Sequence, residues 1–278
     1  MEQHRIGADI TVLSDNAEVP GIGFLPVNTF VIHGEQPVVV DTGLSTPDKD
    51  YVSALAQVID PADVRWVWLT HPDRDHTGGL WQLLEAAPQA KLITTFGGAG
   101  ILGCEYEVPM HRLQLLNPGQ SLDIGDRTLT AWRPPLFDSP VTVGFQESLG
   151  GALLASDCFG GPMPSAELAS GPDLREVSDD ERRAAQLLWA AVDSPWVRWM
   201  DRAVHVRHVD QLRAMTPSAI LSTHLPPAVG MNDKLYETLL EAPDGPEFSW
   251  PDQAALDAML ASFEPPTSAS AAAPAPVG

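Results

Sequence analysis

The hydrophobic positions of this chain fall into short apolar runs broken by Gly, Pro, Asn and Asp, the rhythm of strands and turns. Residues 6–13 read as a first strand. Residues 27–32 and 37–41 read as two more, joined by the turn His33-Gly34-Glu35-Gln36, so that residues 6 to about 43 form an antiparallel meander. From 48 to 58 the apolar spacing becomes that of an amphipathic helix. The run 64–69 (Val-Arg-Trp-Val-Trp-Leu) is too short for a typical helix and rich in aromatic and β-branched residues, which predicts a buried strand. A helix opens at 78–84 and a strand follows at 91–95. The second half repeats this style, with strands at 120–124, 127–132, 141–145 and 152–155. A helical region runs from about 179 to 215, interrupted near Ser194-Pro195, and a late strand lies at 219–222. Strands followed by helices in each half predict two similar αβ layers packed face to face.

Chemistry concentrates directly after the 64–69 strand. Thr70-His71-Pro72-Asp73-Arg74-Asp75-His76-Thr77-Gly78-Gly79 places two imidazoles and two carboxylates within six residues. A loop leaving a rigid strand can aim several side chains at one point, and so close a set reads as metal-binding.

Composition removes several alternatives. A net charge of -21 argues against nucleic-acid binding, which needs clustered Lys and Arg, and against an anionic membrane surface. No stretch approaches the ~18 apolar residues of a membrane span, and the N-terminus lacks the pattern of a signal peptide. Two cysteines, Cys104 and Cys158, make neither a disulfide framework nor a cysteine-rich zinc site. They are expected to be reduced packing residues, in a cytoplasmic protein. From about Glu264 the chain is Pro, Ala and Ser, a composition expected to be disordered.

The loop resembles the His-x-His-x-Asp-His signature of the metallo-β-lactamase superfamily. Asp41-Thr42-Gly43 after a Val-rich strand, Gly78-Gly79 after the last His, and His224 in Leu221-Ser222-Thr223-His224-Leu225-Pro226-Pro227 are similar to that family in kind and order. The resemblance implies a single-domain αββα sandwich over residues 6–232, with 233–263 as a C-terminal extension and 264–278 as the tail. One departure is informative: Asp73 stands where the second His would be. The flavodiiron and oxygen-binding di-iron branch puts a carboxylate there, a Glu. Ala155-Ser156-Asp157-Cys158-Phe159-Gly160 is similar to that branch's Ser-x-Asp-x-Phe-Gly segment with its bridging Asp. In Pro135-Leu136-Phe137-Asp138-Ser139-Pro140, Asp138 stands where the branch has another metal-binding His.

By this resemblance one metal takes His71, Asp73 and Asp138, the other takes Asp75, His76 and His224, and Asp157 bridges them. Three imidazoles and four carboxylates suit harder ions than an imidazole-rich zinc site does. Two iron ions are expected, with manganese or zinc as alternatives. The reading placed first is an iron-dependent oxygen-binding protein or oxidase. Its relatives carry a flavodoxin-like domain. Too few residues follow His224 for one, so electrons are expected from a separate donor or from the substrate. The second reading is a metal-dependent hydrolase of an ester, lactone or thioester, with Asp75 positioning the attacking hydroxide. The third is a non-catalytic relative. The resemblance also implies a homodimer.

Other features carry bland readings beside sharper ones. His205 and His208 share a helix face and read as ordinary polar positions. His4 and His33 read as solvated, and His111 has no motif around it. Cys158 is expected to face the core. Trp196 and Trp199 are spaced to share a helix face, as core, dimer surface or the wall of an apolar substrate channel. Residues 160–175 read as a loop, in the sharper version a lid beside the site. Gly97-Gly98-Ala99-Gly100 lacks the Lys and Ser/Thr of a phosphate loop and reads as a turn. The chain has no Gly-x-Ser-x-Gly elbow.

Overall fold

In a computed structural model, which describes residues 1–46 and 49–263, the first half builds one sheet. Its strands are β1 (Glu2–Ile6), β2 (Ile10–Val19), β3 (Gly23–Ile32), β4 (Val38–Val40), β5 (Trp66–Trp68), β6 (Lys91–Thr94) and β7 (Leu113–Leu115). They lie in sequence order, the first four antiparallel and β4 to β7 parallel. The parallel crossovers carry α1 (Tyr51–Leu55), α2 (Leu80–Ala86) and α3 (Phe96–Leu102). The second half builds a six-stranded sheet from β8 (Ser121–Asp123), β9 (Thr128–Trp132), β10 (Gly144–Glu147), β11 (Ala152–Leu154), β12 (Ala219–Leu221) and β13 (Ala228–Val229), in the order β13-β12-β11-β10-β9-β8. Between β11 and β12 come α4 (Ala166–Ala169), α5 (Asp179–Asp193) and α6 (Arg202–Ala214). The helix α7 (Asn232–Glu241) follows β13 and packs on α5 and α6.

The period of two in a strand sends successive side chains to opposite faces, and this sorts the apolar residues into three layers. Val38, Val40, Trp68 and Ile93 of the first sheet meet Leu129, Ala131, Phe145 and Leu154 of the second between the sheets. Their neighbours Val39, Val67, Leu69 and Leu92 face outward onto Leu55, Leu80 and Leu83 of α1 and α2. Leu153 and Ile220 face outward onto Leu187, Leu212 and Leu235 of α5, α6 and α7. The result is an αββα sandwich of the metallo-β-lactamase type, as the resemblance implied.

Several local expectations are corrected. The helix expected over 48–58 is a single capped turn at Tyr51–Leu55; Pro61 forces Asp60 into an extended conformation and the chain leaves the helix before it. Gly97 to Gly100 lie inside α3, capped by Thr95, not in a turn. The glycines serve close approach: a Cβ on Gly97 would sit 2.7 Å from Val141 Cγ1, and one on Gly98 2.4 Å from Thr94 Oγ1. The strand expected over 6–13 is split between β1 and β2 by a turn at Gly7, whose φ is +62°. Residues 160–163 are buried rather than free to act as a lid. Phe24 and Met163 exchange two backbone hydrogen bonds, and Gly161 N donates to His224 O at 2.8 Å. His205 is buried with Nε2 2.7 Å from Leu239 O, and His33 and His4 are half-buried and hydrogen-bonded to Thr11 and Ser170.

Met1–Pro246 forms one compact unit. Residues from Glu247 form another, which contains a helix at Gln253–Phe263 and a perpendicular Phe248–Trp250 ring pair. The tail expected over 264–278 lies outside the described residues.

Candidate metal centre

The strands β4 and β5 run in the same direction, as do β9, β11 and β12, and the loops leaving their C-terminal ends meet at one rim of the sandwich. Contacts between the sheets fix that rim. Val143 N donates to Thr70 O at 2.9 Å, and Asn28 N on β3 donates to Thr223 O at 2.8 Å. Asp41 at the end of β4 and Ser156 after β11 both hold a left-handed backbone, with φ of +54° and +52°, where the chain turns from strand into site. Asp41-Thr42-Gly43 clamps the ligand loop. Thr42 N donates to His76 O, Gly78 N to Gly43 O and Gly79 N to Thr42 O.

Into this rim come all seven side chains named from the sequence. His71, Asp73 and Asp138 form one group, and Asp75, His76 and His224 another, with candidate ligand atoms within 4.8 Å of each other in each. Asp157 stands between. Its Oδ2 lies 3.4 Å from His71 Nε2, while its Oδ1 lies 3.1 Å from His76 Nε2 and 3.4 Å from His224 Nε2. Asp138 Oδ1 is 3.6 Å and Asp73 Oδ2 3.9 Å from His71 Nε2, and Asp75 Oδ2 is 3.2 Å from His224 Nε2.

The second ring nitrogen of each imidazole is anchored. His76 Nδ1 lies 2.8 Å from Asp41 Oδ2, and His224 Nδ1 lies 2.7 Å from Pro26 O. Both partners accept, so both Nδ1 atoms carry the hydrogen and the Nε2 lone pairs point inward. His71 Nδ1 lies 3.3 Å from the Thr70 and Ser156 hydroxyls. Asp41 is itself held by Thr70, whose N and Oγ1 each donate to it at 2.8 Å.

Burial pushes His76 toward the neutral form, yet Asp157, Asp75 and Asp41 outweigh it and hold its pKa well above the ordinary value. Burial lowers His224 likewise, and Asp157 and Asp75 lift it to about 9. Burial and the His76 charge lower His71. Burial raises Asp73, and burial with the Asp157 charge raises Asp138. Against their own burial, Asp75 and Asp157 are driven well below the carboxylate range by the surrounding imidazoles. The Nε2 atom of His71 is buried and makes no hydrogen bond. A buried imidazole without a partner at Nε2, amid carboxylates, fits a cation of the kind that the resemblance implies.

Two residues at the site, Trp189 and Asp193, are not among those singled out from the sequence. Trp189 on α5 donates from Nε1 to Asp157 O at 3.1 Å, and its ring packs 4.9 Å from that of His224. It takes the wall position expected of Trp196 and Trp199. The chain between those two is a tight 3-10 turn, in which side chains three residues apart still lie one above the other, yet the two differ in burial: Trp199 is 83% exposed while Trp196 is half-buried. Trp196 stacks on Phe137 and donates to Phe137 O at 3.0 Å, which steadies the neighbouring Asp138. Asp193, at the C-terminus of α5, reaches Asp138 and Asp157. Cys158 faces the core, as expected, and burial raises its thiol to about 12.

Comparison with known proteins agrees with this architecture. Residues 22–154 match the family model described as metallo-beta-lactamase superfamily. The rubredoxin-oxygen oxidoreductase of Megalodesulfovibrio gigas is 21% identical over 229 residues, covering 82% of this chain and 48% of that protein. Among solved structures, the rubredoxin oxygen:oxidoreductase of Desulfovibrio gigas superposes with a TM-score of 0.73 at 18% identity, covering 87% of this chain and 61% of that one. A variant of the flavo di-iron protein of Thermotoga maritima gives 0.72 at 17% identity, covering 86% and 62%. At such identities the structural likeness carries the fold. The chain spans about half, or less, of the length of the curated relatives that it matches.

Proposed function

From a chain that has the metallo-β-lactamase fold and resembles the flavodiiron branch of that superfamily, we propose an oxidoreductase that holds two iron ions and acts on dioxygen. The observation that carries this reading is the placement of Asp157, with one carboxylate oxygen toward each of two ligand groups. One half takes His71, Asp73, Asp138 and Asp157 Oδ2; the other takes Asp75, His76, His224 and Asp157 Oδ1. Four carboxylates balance the charge of two divalent ions and favour hard, oxidisable ones. The names of the relatives, an oxygen oxidoreductase and a di-iron protein, support the same chemistry.

Iron there would supply the electrons for reducing dioxygen. The chain's own residues set the conditions. Asp41 holds His76, and the Pro26 carbonyl holds His224, in the tautomer that leaves Nε2 free. The Trp189 ring screens His224 from water on the α5 side. Asp73 and Asp75 are the ligands with the largest exposure toward solvent, so access runs past the ligand loop, and a separate electron donor would approach there.

Metal content tests the proposal. Protein produced with iron, manganese and zinc all supplied is expected to hold about two irons per chain by elemental mass spectrometry, and Asp73→His is expected to shift it toward zinc. Iron-loaded, chemically reduced protein should then consume dioxygen. Stoichiometric zinc in the native chain would refute the iron reading and favour metal-dependent hydrolysis.

A further inference from the structure

The seven side chains above do not exhaust the carboxylates at the rim. Asp193 ends α5, and its carboxylate lies with those of Asp138 and Asp157 in a third group whose oxygens are within 4.8 Å of each other. Three carboxylates at that spacing repel each other. The carbonyl end of a helix worsens the repulsion, because its partial charge is negative too. The neighbours that Asp193 does have are weak compensation: Ser194 Oγ donates to Oδ2 at 3.0 Å. Evolution has many neutral residues to place at a helix end, so an acid here needs a reason.

Two independent observations point to a ligand. The first is His71, whose Nε2 is buried, makes no hydrogen bond, and is aimed between Asp157 and Asp138 at 3.4 and 3.6 Å. The second is a small cavity, of about 20 Å³, between Asp157 and Asp193. Its walls are largely apolar, with Leu136, Phe159, Ala190 and Leu239 among them. Its other polar liners are occupied elsewhere. Gln186 donates to Phe159 O and accepts from Arg182, and Thr238 donates to Lys234 O and also accepts from Arg182. Asp157 and Asp193 are the two carboxylate-bearing residues that line it.

We propose that Asp193 is an eighth ligand residue, on the Asp138 side of the pair, and that the two halves of the centre therefore take ions of different hardness. This rests on the dinuclear reading above. The Asp138 half then has one imidazole, His71, and four carboxylates: Asp73, Asp138, Asp157 and Asp193. The other half has two imidazoles, His76 and His224, with Asp75 and a share of Asp157. A set that is nearly all oxygen favours manganese or ferric iron, whereas an imidazole-rich set holds ferrous iron or zinc more firmly. A chain offered both manganese and iron would bind one of each.

The test is manganese titration of the metal-free full chain, followed by electron paramagnetic resonance and calorimetry, for the native protein and Asp193→Asn. Asn is close to isosteric and keeps an acceptor for Ser194, and the thermal midpoint of the metal-free variant is measured alongside. The native chain is expected to take two Mn²⁺, and in an equimolar mixture with Fe²⁺ under anaerobic conditions about one of each. Asp193→Asn is expected to lose about tenfold or more in affinity at one of the two positions and to take two irons from the mixture. Anomalous diffraction at the manganese edge of the native chain should place manganese within bonding distance of Asp193, independently of any variant. Equal Mn²⁺ affinities and counts in native and variant protein would overturn the proposal and leave the dinuclear reading intact. A native chain that binds no metal would overturn both.

Discussion

Replacing Asp41 by Asn is a sharp test of how this rim orients its imidazoles. Asp41 is fully buried and accepts four hydrogen bonds: Oδ1 from Thr70 N, and Oδ2 from Thr70 Oγ1 and His76 Nδ1, all at 2.8 Å, with a longer one to Oδ2 from Thr223 Oγ1 at 3.5 Å. Asn offers one oxygen and one NH2 group. If the oxygen faces His76, the NH2 meets the Thr70 N–H, and two buried donors confront each other. If the NH2 faces His76, the imidazole must accept through Nδ1, and its hydrogen moves to Nε2, where no metal can then bind. Either arrangement weakens the second half of the centre. Loss of such an orienting partner costs about 10–100-fold in metal affinity, or about 1.4–2.8 kcal/mol. Calorimetric titration of Mn²⁺ or Zn²⁺ into the metal-free protein reads this directly. Thr70→Val serves as a milder control, since it removes one of the four donors but leaves the carboxylate. Unchanged affinity in Asp41→Asn, with the fold intact by circular dichroism, would refute the argument that the Asp41 carboxylate fixes the His76 tautomer.

Three further outcomes follow from the geometry. The metal-free protein should lose stability as pH rises. His224 has a folded pKa of about 9, above the ~6.5 of an unfolded histidine, so its contribution is full below ~6.5 and disappears as pH climbs through about 9. Thermal melts across that window should slope downward, and Asp157→Asn, which removes the foremost charge raising His224, should flatten them. Gly78→Ala should destabilise the chain strongly, because its Cβ would fall 2.2 Å from Leu44 C, 2.3 Å from Ser45 N and 2.4 Å from Gly43 O, all backbone. A cost of about 3 kcal/mol lowers Tm by roughly 6–12 °C for a domain of this size, and a melt within 2 °C or so of native would contradict it. Thiol labelling at pH 8 should modify exposed Cys104 and spare Cys158, whose thiol is buried and raised to about 12; unfolding should release the second thiol.

The layered fold was legible because it rests on two periods that the sequence displays openly. Val38 to Val40 and Trp66 to Trp68 are so uniformly apolar that both faces must be buried, which fits a sheet covered on both sides. What the sequence hid were elements stabilised by contacts rather than by their own residues. Helix α3 is glycine-rich because Val141 and Thr94 leave no room for a Cβ at Gly97 and Gly98, so its composition reads as a turn. Strand β7, Leu-Gln-Leu, is too short to stand out. The ligand loop was legible because its four donors are contiguous. Asp138, Asp157 and His224 came to notice through resemblance, as each stands alone in the sequence. Asp193 and Trp189 could not be found that way. Their role depends on where the end of α5 lands against β11, a distance set by the packing of Leu187 and Ala190 rather than by any motif. Trp196 and Trp199 misled because spacing says which side chains share a face but not what covers it: in the 3-10 turn that Pro195 starts the two remain aligned, yet Trp196 packs on Phe137 while Trp199 is left exposed.

The stitch between β3 and the end of β12 has a bearing on the order in which the molecule comes together. Asn28 donates from its side chain to Ser222 O and Leu225 O and from its backbone to Thr223 O, spanning almost 200 positions of chain to seat His224. Contacts so remote in sequence form late, once both sheets have docked, because closing so long a loop costs entropy before any contact rewards it. A nascent chain would thus present the 71–76 loop to solution long before its partners arrive. An ion caught there early would be held loosely and could still exchange. Selection among ions would then wait for the final docking step, when the second sheet supplies Asp138 and Asp157.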